Sequence, residues 1–291
     1  MRSKLLAVLS RLAALAVPLA VGAMMWELIV RGVPALGLKL FFGDTPPLKA
    51  ITGQAPVWDG IWPAAAGTLT LLALTLLLAV IPGIGCGVYL ACFAGRRTKR
   101  ALGLAVDLLA GVPSIVMGLF GFVLILTLRR LFVPRATTCL LLSAFCLALL
   151  VLPSLVISTQ SVLESLPDSL RLTGEALGLT PWQTASRLLL PAAGRGVLSG
   201  VMLALGRAAE DTAVIMVTGA VANAGLPAGL TSKYEALPFF IFYISAQYTG
   251  PDDLQRGFGA ALVLLALSGA LLAASWALHR SLEKKWKGVR Q

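Results

Sequence analysis

Apolar positions along this chain come in long runs, not in the alternating pattern of a half-buried strand. Six stretches hold enough consecutive apolar residues to cross a membrane as helices: 11–31, 65–93, 101–128, 138–158, 196–221 and 257–279. About 20 such residues span the hydrocarbon of a bilayer, so the second and third stretches are long enough to tilt or kink. The pattern breaks twice, at 32–64 and at 159–195. The first break is rich in Gly, Pro and aromatic residues, and Phe41, Phe42, Trp58 and Trp62 suit a membrane–water interface. The second is too polar to span and carries helix-start signals. Ser165-Leu166-Pro167-Asp168 reads as an acidic capping-box variant that opens a helix, which Gly178 closes. Thr180-Pro181-Trp182-Gln183 sets Thr at the N-cap, Pro at the first helical position and Gln two residues beyond it. The spacing predicts a second helix from 181 to about Leu190, ended by Pro191. Its apolar face would carry Trp182, Ala185, Leu188 and Leu189.

Composition agrees. The 291 residues are 58% hydrophobic and only 13% charged, with a mean hydropathy of +0.88; soluble domains carry about 25% charged residues. The predicted fold is an all-α polytopic membrane protein with six transmembrane helices and a helical hairpin at 159–195. Arg2, Lys4 and Arg11 precede an apolar run too long for a cleavable signal, and "VGAMMWE" is a poor cleavage site, so the first span reads as a retained anchor.

The net charge of +11 points to orientation, not to nucleic acid. With the amino terminus in the cytosol, 15 of the 24 Lys and Arg residues fall on the cytosolic side, as the positive-inside rule requires. Both termini are then cytosolic. Arg129, Arg130 and Arg135 sit against the rule.

Enzymatic chemistry is poorly supplied. His279 is the only histidine, so neither a His-based zinc site nor a Ser-His-Asp triad can be assembled. Cys86, Cys92, Cys139 and Cys146 lack CxxC spacing and read as packing residues. "PGIGCGVYL" (82–90) has no preceding strand and no GK[ST] ending, and so reads as close helix packing. No cofactor is called for, and ATP hydrolysis has no visible site.

Charge inside the fifth stretch stands out. "SGVMLALGRAAEDTAVIMVTG" (199–219) contains Arg207, Glu210 and Asp211, and a charge at mid-membrane costs roughly 2.5–3.5 kcal/mol on the insertion scale. Gly196, Gly200, Ala204 and Ala208 form a small-residue stripe for close helix approach. Arg207 and Asp211 stand four residues apart, with Glu210 as the other acid in reach. Two readings follow: a self-neutralising structural ion pair, or a guanidinium facing a path, where its planar donors suit an oxyanion. In the third stretch, "GVPSIVMG" (111–118) predicts a proline kink, which either serves helix packing or lets backbone or the Ser114 hydroxyl face a path.

The hairpin resembles the cytoplasmic loop of ABC-importer permeases, written EAA, three residues, G, nine residues, I-x-L-P. Gly178, Leu188, Leu190 and Pro191 occupy the G, I, L and P places. Leu172, Thr173 and Gly174 occupy the E-A-A places, with Glu175 displaced by three. "TPPLKAITGQAPVWDGIWPAAAGTL" (45–69), "GVPSIVMGLFGF" (111–122), "LPDSLR" (166–171), "ALGLTPWQT" (176–184) and "GRAAEDTA" (206–213) resemble the PstA family, a permease subunit of bacterial high-affinity phosphate importers. The resemblance implies a second, PstC-like permease, two ATP-binding subunits and an external phosphate-binding protein. It implies a location in the inner membrane, a substrate path at Arg207, Asp211, Glu210 and Ser114, and coupling to the ATPase through Glu175, Gly178, Trp182, Leu188, Leu190 and Pro191. The domain plan is one permease domain: 1–64 as first span and outer loop, 65–280 as five-span core, 281–291 as basic tail. Permeases for phosphonate, molybdate or sulfate, and an ion-driven transporter acting alone, are the alternatives.

Overall fold

A computed structural model of the chain describes residues 2–287, with side chains described from Ser10 to Ala277 apart from 12, 13 and 275. His279 and the charges of the basic tail lie outside the described side chains. The chain is helical almost throughout. The first helix, α1, is Arg2–Gly32. A single 3-10 turn and two short helices, α2 (Leu38–Phe42) and α3 (Pro47–Ile51), then precede α4 (Trp62–Cys92). Next come α5 (Arg96–Ala110), α6 (Ser114–Leu131), α7 (Leu140–Glu164), α8 (Asp168–Ala176), α9 (Pro181–Thr184) and α10 (Leu190–Glu210). The chain closes with α11 (Ala213–Thr218), α12 (Leu237–Gln247) and α13 (Pro251–Lys287). Among the described residues six segments are long and apolar enough to cross a membrane, the number read from the sequence.

Three boundaries differ from that reading, each for a local reason. The expected third span is two helices. Arg96, Arg97, Lys99 and Arg100 make the start of α5 too charged to enter hydrocarbon, so α5 is amphipathic. Its Val106 packs with Leu90 and Val156, and Lys99 pairs with Glu164 at 2.5 Å. Pro113 does not kink a continuous span: it lies in the break at Gly111-Val112-Pro113, extended at ψ 141°, where the restriction proline places on its predecessor ends α5. Ser114 is the first residue of α6. The fifth span is also broken, between α10 and α11, with Asp211 extended at ψ 114°. The hairpin's second helix does not end before Pro191. It runs through a wider turn of π-helix at Ala185–Leu189 directly into α10. Pro191 cannot supply the amide of a regular helix, and a π-turn beside it is a known way to absorb that loss. Ser165 caps no helix: its hydroxyl donates to the Val162 carbonyl at 2.7 Å.

The core is built around α7. Van der Waals packing and close backbone approach hold membrane helices together, because lipid is as apolar as the side chains it would replace. Glycines from three helices meet α7 accordingly. A Cβ at Gly83 or Gly87 of α4 would overlap Leu155 or Thr159, one at Gly196 of α10 would overlap Val162, and one at Gly200 would meet the Ser158 hydroxyl. Gly121 of α6 lies against Cys146 and Thr218. The expected small-residue packing of 82–90 and of the α10 stripe is therefore present, and Ala204 and Ala208 are buried on the same face. All four cysteines are free, with Cys139 and Cys146 buried.

At the end away from the hairpin, the loop 219–236 folds back over α7. Leu140 and Leu141 donate their amides to Ser232 and Leu230, and Cys139 donates to Thr218, which satisfies donors that a helix start leaves open. Leu237 N–H donates to the buried Thr68 hydroxyl at 2.8 Å. Beside it, Gly67 lies directly against the Glu235 carbonyl oxygen. Any side chain there meets backbone and cannot be absorbed by a rotamer change. We expect Gly67→Val to cost about 1–3 kcal/mol, read as a lower midpoint of thermal unfolding in detergent, while Gly85→Val, where a Cβ meets nothing within 4 Å, leaves the midpoint unchanged.

The segment 33–61 is a folded cap. Phe42, Ala50 and Val57 form a small core of their own, and the Phe42 and Trp62 rings lie 5.5 Å apart. Arg129 and Arg130 occupy the last turn of α6, where a helix C-terminus favours positive charge.

Candidate functional site

Two places combine polar chemistry with an unusual backbone: the α10–α11 break and the hairpin of α8 and α9.

The depth of the break follows from helix register. Gly196 faces Val162 and Gly200 faces Ser158, so α10 runs antiparallel to α7. Continuing that register brings Arg207 level with Val151, beside the midpoint of α7. On the other side, Gly118 packs on Ala213 and Val214 and Gly121 on Thr218, so α6 runs parallel to α11. One turn back along α6, Ser114 falls level with the break. Arg207, Glu210, Asp211 and Ser114 therefore gather at one depth near the middle of the helical body.

They do not form the expected ion pair. The helix ends between Arg207 and Asp211, which removes the geometry of a four-residue spacing. Asp211 instead accepts the Val214 amide at 2.8 Å and so caps α11, the usual work of a carboxylate at a helix start. Among the described residues Arg207 makes no salt bridge. Its exposed face of α10 also carries Ser199, Leu203 and Glu210, beside the small-residue stripe packed on α7. Asp211 and Ser114 are half-buried. A guanidinium and a carboxylate thus project outward from the chain at mid-depth, where lipid would penalise them.

The hairpin has the capping box the sequence predicts. The Thr180 hydroxyl accepts the Gln183 amide at 3.3 Å, and the Gln183 side chain accepts the Thr180 amide at 2.9 Å. Gly178 has φ 68°, the left-handed conformation glycine adopts freely. Ala185 and Leu189 are buried with Val88, Leu163, Ala193 and Val197, and Leu190 packs at the edge of that cluster. Leu188 is half-buried, while Pro191 and Glu175 are exposed. Trp182 is 66% exposed, with its ring 6.1 Å from that of Phe93. The hairpin therefore packs Ala185, Leu189 and Leu190 on its own helices and leaves Leu172, Glu175, Leu177 and Trp182 facing outward. Sequence reading missed Gly174. A Cβ there would stand 2.5 Å from the Thr184 hydroxyl, so Gly174 sets how closely α8 and α9 approach. Its place in the E-A-A segment, where small residues are the rule, was the available signal.

Residues 83–288 match the model of the "Binding-protein-dependent transport system inner membrane component" family. The chain is 32% identical over 244 residues to the phosphate transport system permease protein PstA of Haemophilus influenzae, covering 83% of this chain and 81% of that one. The chain belongs to this family of importer permeases. It is also 32% identical over 255 residues to PstA 1 of Mycobacterium tuberculosis H37Rv, covering 87% of this chain and 79% of the relative. To a PstC permease of Mesorhizobium japonicum it is 34% identical, over 54% of each chain. Among solved structures, a bacterial alginate ABC transporter bound to its periplasmic protein gives a TM-score of 0.62 at 15% identity, covering 92% of this chain and 94% of that one. The inward-facing MetNI methionine ABC transporter gives 0.58 at 18% identity, covering 82% and 99%. These two establish the ABC-importer permease fold. The permease is a multi-pass component of the inner membrane.

Proposed function

We propose that this permease carries inorganic phosphate across the inner membrane as half of a path shared with a second, PstC-like permease. The observation that carries the reading is the outward projection of Arg207 and Glu210 at mid-depth. A face bearing both charges is unsuited to lipid and suited to a hydrated path or to the partner permease. The guanidinium offers paired donors to phosphate oxygens, and among the described residues no acid competes for them. Glu210 keeps the empty face near neutrality and repels an anion that has passed, so phosphate is met without being trapped. Ser114, on the helix beside the break, offers a hydroxyl at the same level. Asp211 acts by position: it caps α11 and fixes where α10 ends.

The hairpin presents Leu172, Glu175, Leu177 and Trp182 to a cytosolic ATP-binding subunit, and Gly178 sets the turn between the two helices. Leu188, Leu190 and Pro191 join the docked hairpin to α10, so motion of the ATPase is delivered to the helix that carries Arg207. ATP is hydrolysed on two partner subunits, and phosphate arrives from an external binding protein. Both termini face the cytosol, with the basic first turn of α5 beside the hairpin.

Two measurements test this reading. Labelled phosphate uptake by cells dependent on this permease is expected to be competed by phosphate and not by phosphonate, molybdate or sulfate. Tagged permease is expected to co-purify a Walker-type ATPase and a second permease. Uptake that sulfate or molybdate suppresses equally would reassign the substrate. The Ser114 hydroxyl is expected to matter less than Arg207: Ser114→Ala should raise the half-saturating phosphate concentration about tenfold or less, as for loss of one neutral hydrogen bond. Unchanged uptake kinetics would remove Ser114 from the path.

A further inference from the structure

At the end of the bundle opposite the hairpin, Glu235 is 6% exposed, and among the described residues no cation pairs with it. One carboxylate oxygen accepts the Gly225 amide at 2.8 Å. The left-handed conformations of Asn223 (φ 56°) and Gly225 (φ 72°) turn this stretch of loop back toward α12, and the Ala224 amide also faces the carboxylate. Burial pushes the Glu235 carboxyl above the ordinary range, and the two amides oppose that push. Beside it lies a cavity of about 30 Å³ lined by Trp58, Asn223, Glu235, Phe239, Phe240 and Tyr243. That is room for one group the size of a water molecule or slightly larger. Trp58, at its edge, is 66% exposed. An acid among aromatic rings is the chemistry that takes a compact cation, through charge and through the ring faces.

We propose that this pocket receives the ammonium tip of a lysine side chain from the external binding protein. The inference rests on the reading that such a protein delivers substrate to this end of the permease. Size favours lysine, because a cavity this small suits a compact ammonium. Buried charge favours it too: among the described residues the carboxylate has amide partners and no counter-ion, and an unpaired ionised group away from water is costly until a cation completes it. The exposed Trp58 edge gives an incoming side chain its approach.

The test uses the assembled transporter in nanodiscs, with the purified binding protein, native and lysine-acetylated, as probes. Glu235→Gln keeps the shape of the side chain and a carbonyl for the Gly225 amide while removing the charge. We expect it to weaken capture of the native binding protein about thirtyfold, the scale of a buried interfacial hot spot. Acetylation should weaken capture by the unaltered permease equally and add nothing further in Glu235→Gln. Trp58→Ala, at an exposed position, should weaken capture without lowering the unfolding midpoint, which keeps the test open should Glu235→Gln fold poorly. Equal capture by unaltered and Glu235→Gln permeases overturns the pocket alone. A Glu235→Gln deficit that persists with acetylated protein overturns lysine as the occupant. Failure of the unaltered transporter to capture the binding protein overturns this inference and the underlying reading together.

Discussion

Arg207→Gln is expected to lower phosphate uptake by about thirtyfold to several thousandfold, the span given by 2–5 kcal/mol for a lost charge-assisted contact in a desolvated site. The assembled transporter should still form and hydrolyse ATP. The geometry makes this combination specific. A buried structural ion pair broken on one side costs about 3–5 kcal/mol of stability, and assembly would fail with transport. Arg207 has no ion-pair partner on its own chain among the described residues and stands on an exposed face. Arg207→Lys keeps the charge and loses the planar fork, so it should fall between the two, with a raised half-saturating phosphate concentration. Uptake of labelled phosphate alongside ATPase activity of the purified complex reads both. Normal uptake by Arg207→Gln, or loss of the complex, would make the residue structural.

Gly174→Leu is expected to detach or uncouple the ATPase while leaving the permease in the membrane. The first side-chain carbon would press on the Thr184 hydroxyl and methyl at 2.5 and 2.6 Å. Thr184 is buried, and its neighbour Ala185 anchors the hairpin to the helical body. The two short helices must separate, and the docking face formed by Leu172, Glu175 and Trp182 is lost as a unit. Gly178→Leu is a graded comparison. Its backbone has φ 68° and a Cβ meets nothing within 4 Å, so the cost is the left-handed conformation alone, about 1–2 kcal/mol. Co-purified ATPase, measured per permease, should fall much further for Gly174→Leu than for Gly178→Leu. Equal retention by both would separate the hairpin from ATPase docking.

Features set by local chemistry were legible in the sequence. Six apolar runs gave, among the described residues, six helices long enough to span, Thr180 and Gln183 gave a reciprocal cap, and Gly178 gave a left-handed turn, because each depends on neighbouring residues. The small-residue stripe of α10 was legible for the same reason. Breaks inside apolar runs were not. Hydropathy sees 101–128 and 196–221 as continuous, while the chain divides them where Pro113 restricts its predecessor and where Asp211 finds an amide to cap. The same carboxylate reads as an ion-pair partner of Arg207 at helical spacing and becomes a cap once the helix stops. Pro191 misled in the other direction: a proline that looks like a terminator sits in a continuous helix because the π-turn before it absorbs the missing amide. Gly174 and Glu235 act through partners 10 residues away, so no short window of sequence exposes them.

The central claim is that the α10 face carrying Arg207 lines a hydrated phosphate path. Single cysteines at Leu203, Gly206 and Glu210, on a background with the four native cysteines replaced, test it through labelling by a charged, membrane-impermeant thiol reagent in the assembled transporter. Leu77 and Ile81 of α4, at 64% and 73% exposure on apolar surface, serve as lipid-facing references. Labelling at 203, 206 and 210 that phosphate suppresses, with none at 77 and 81, is the predicted result. Silence along the α10 face, or labelling there that phosphate does not change, would contradict it.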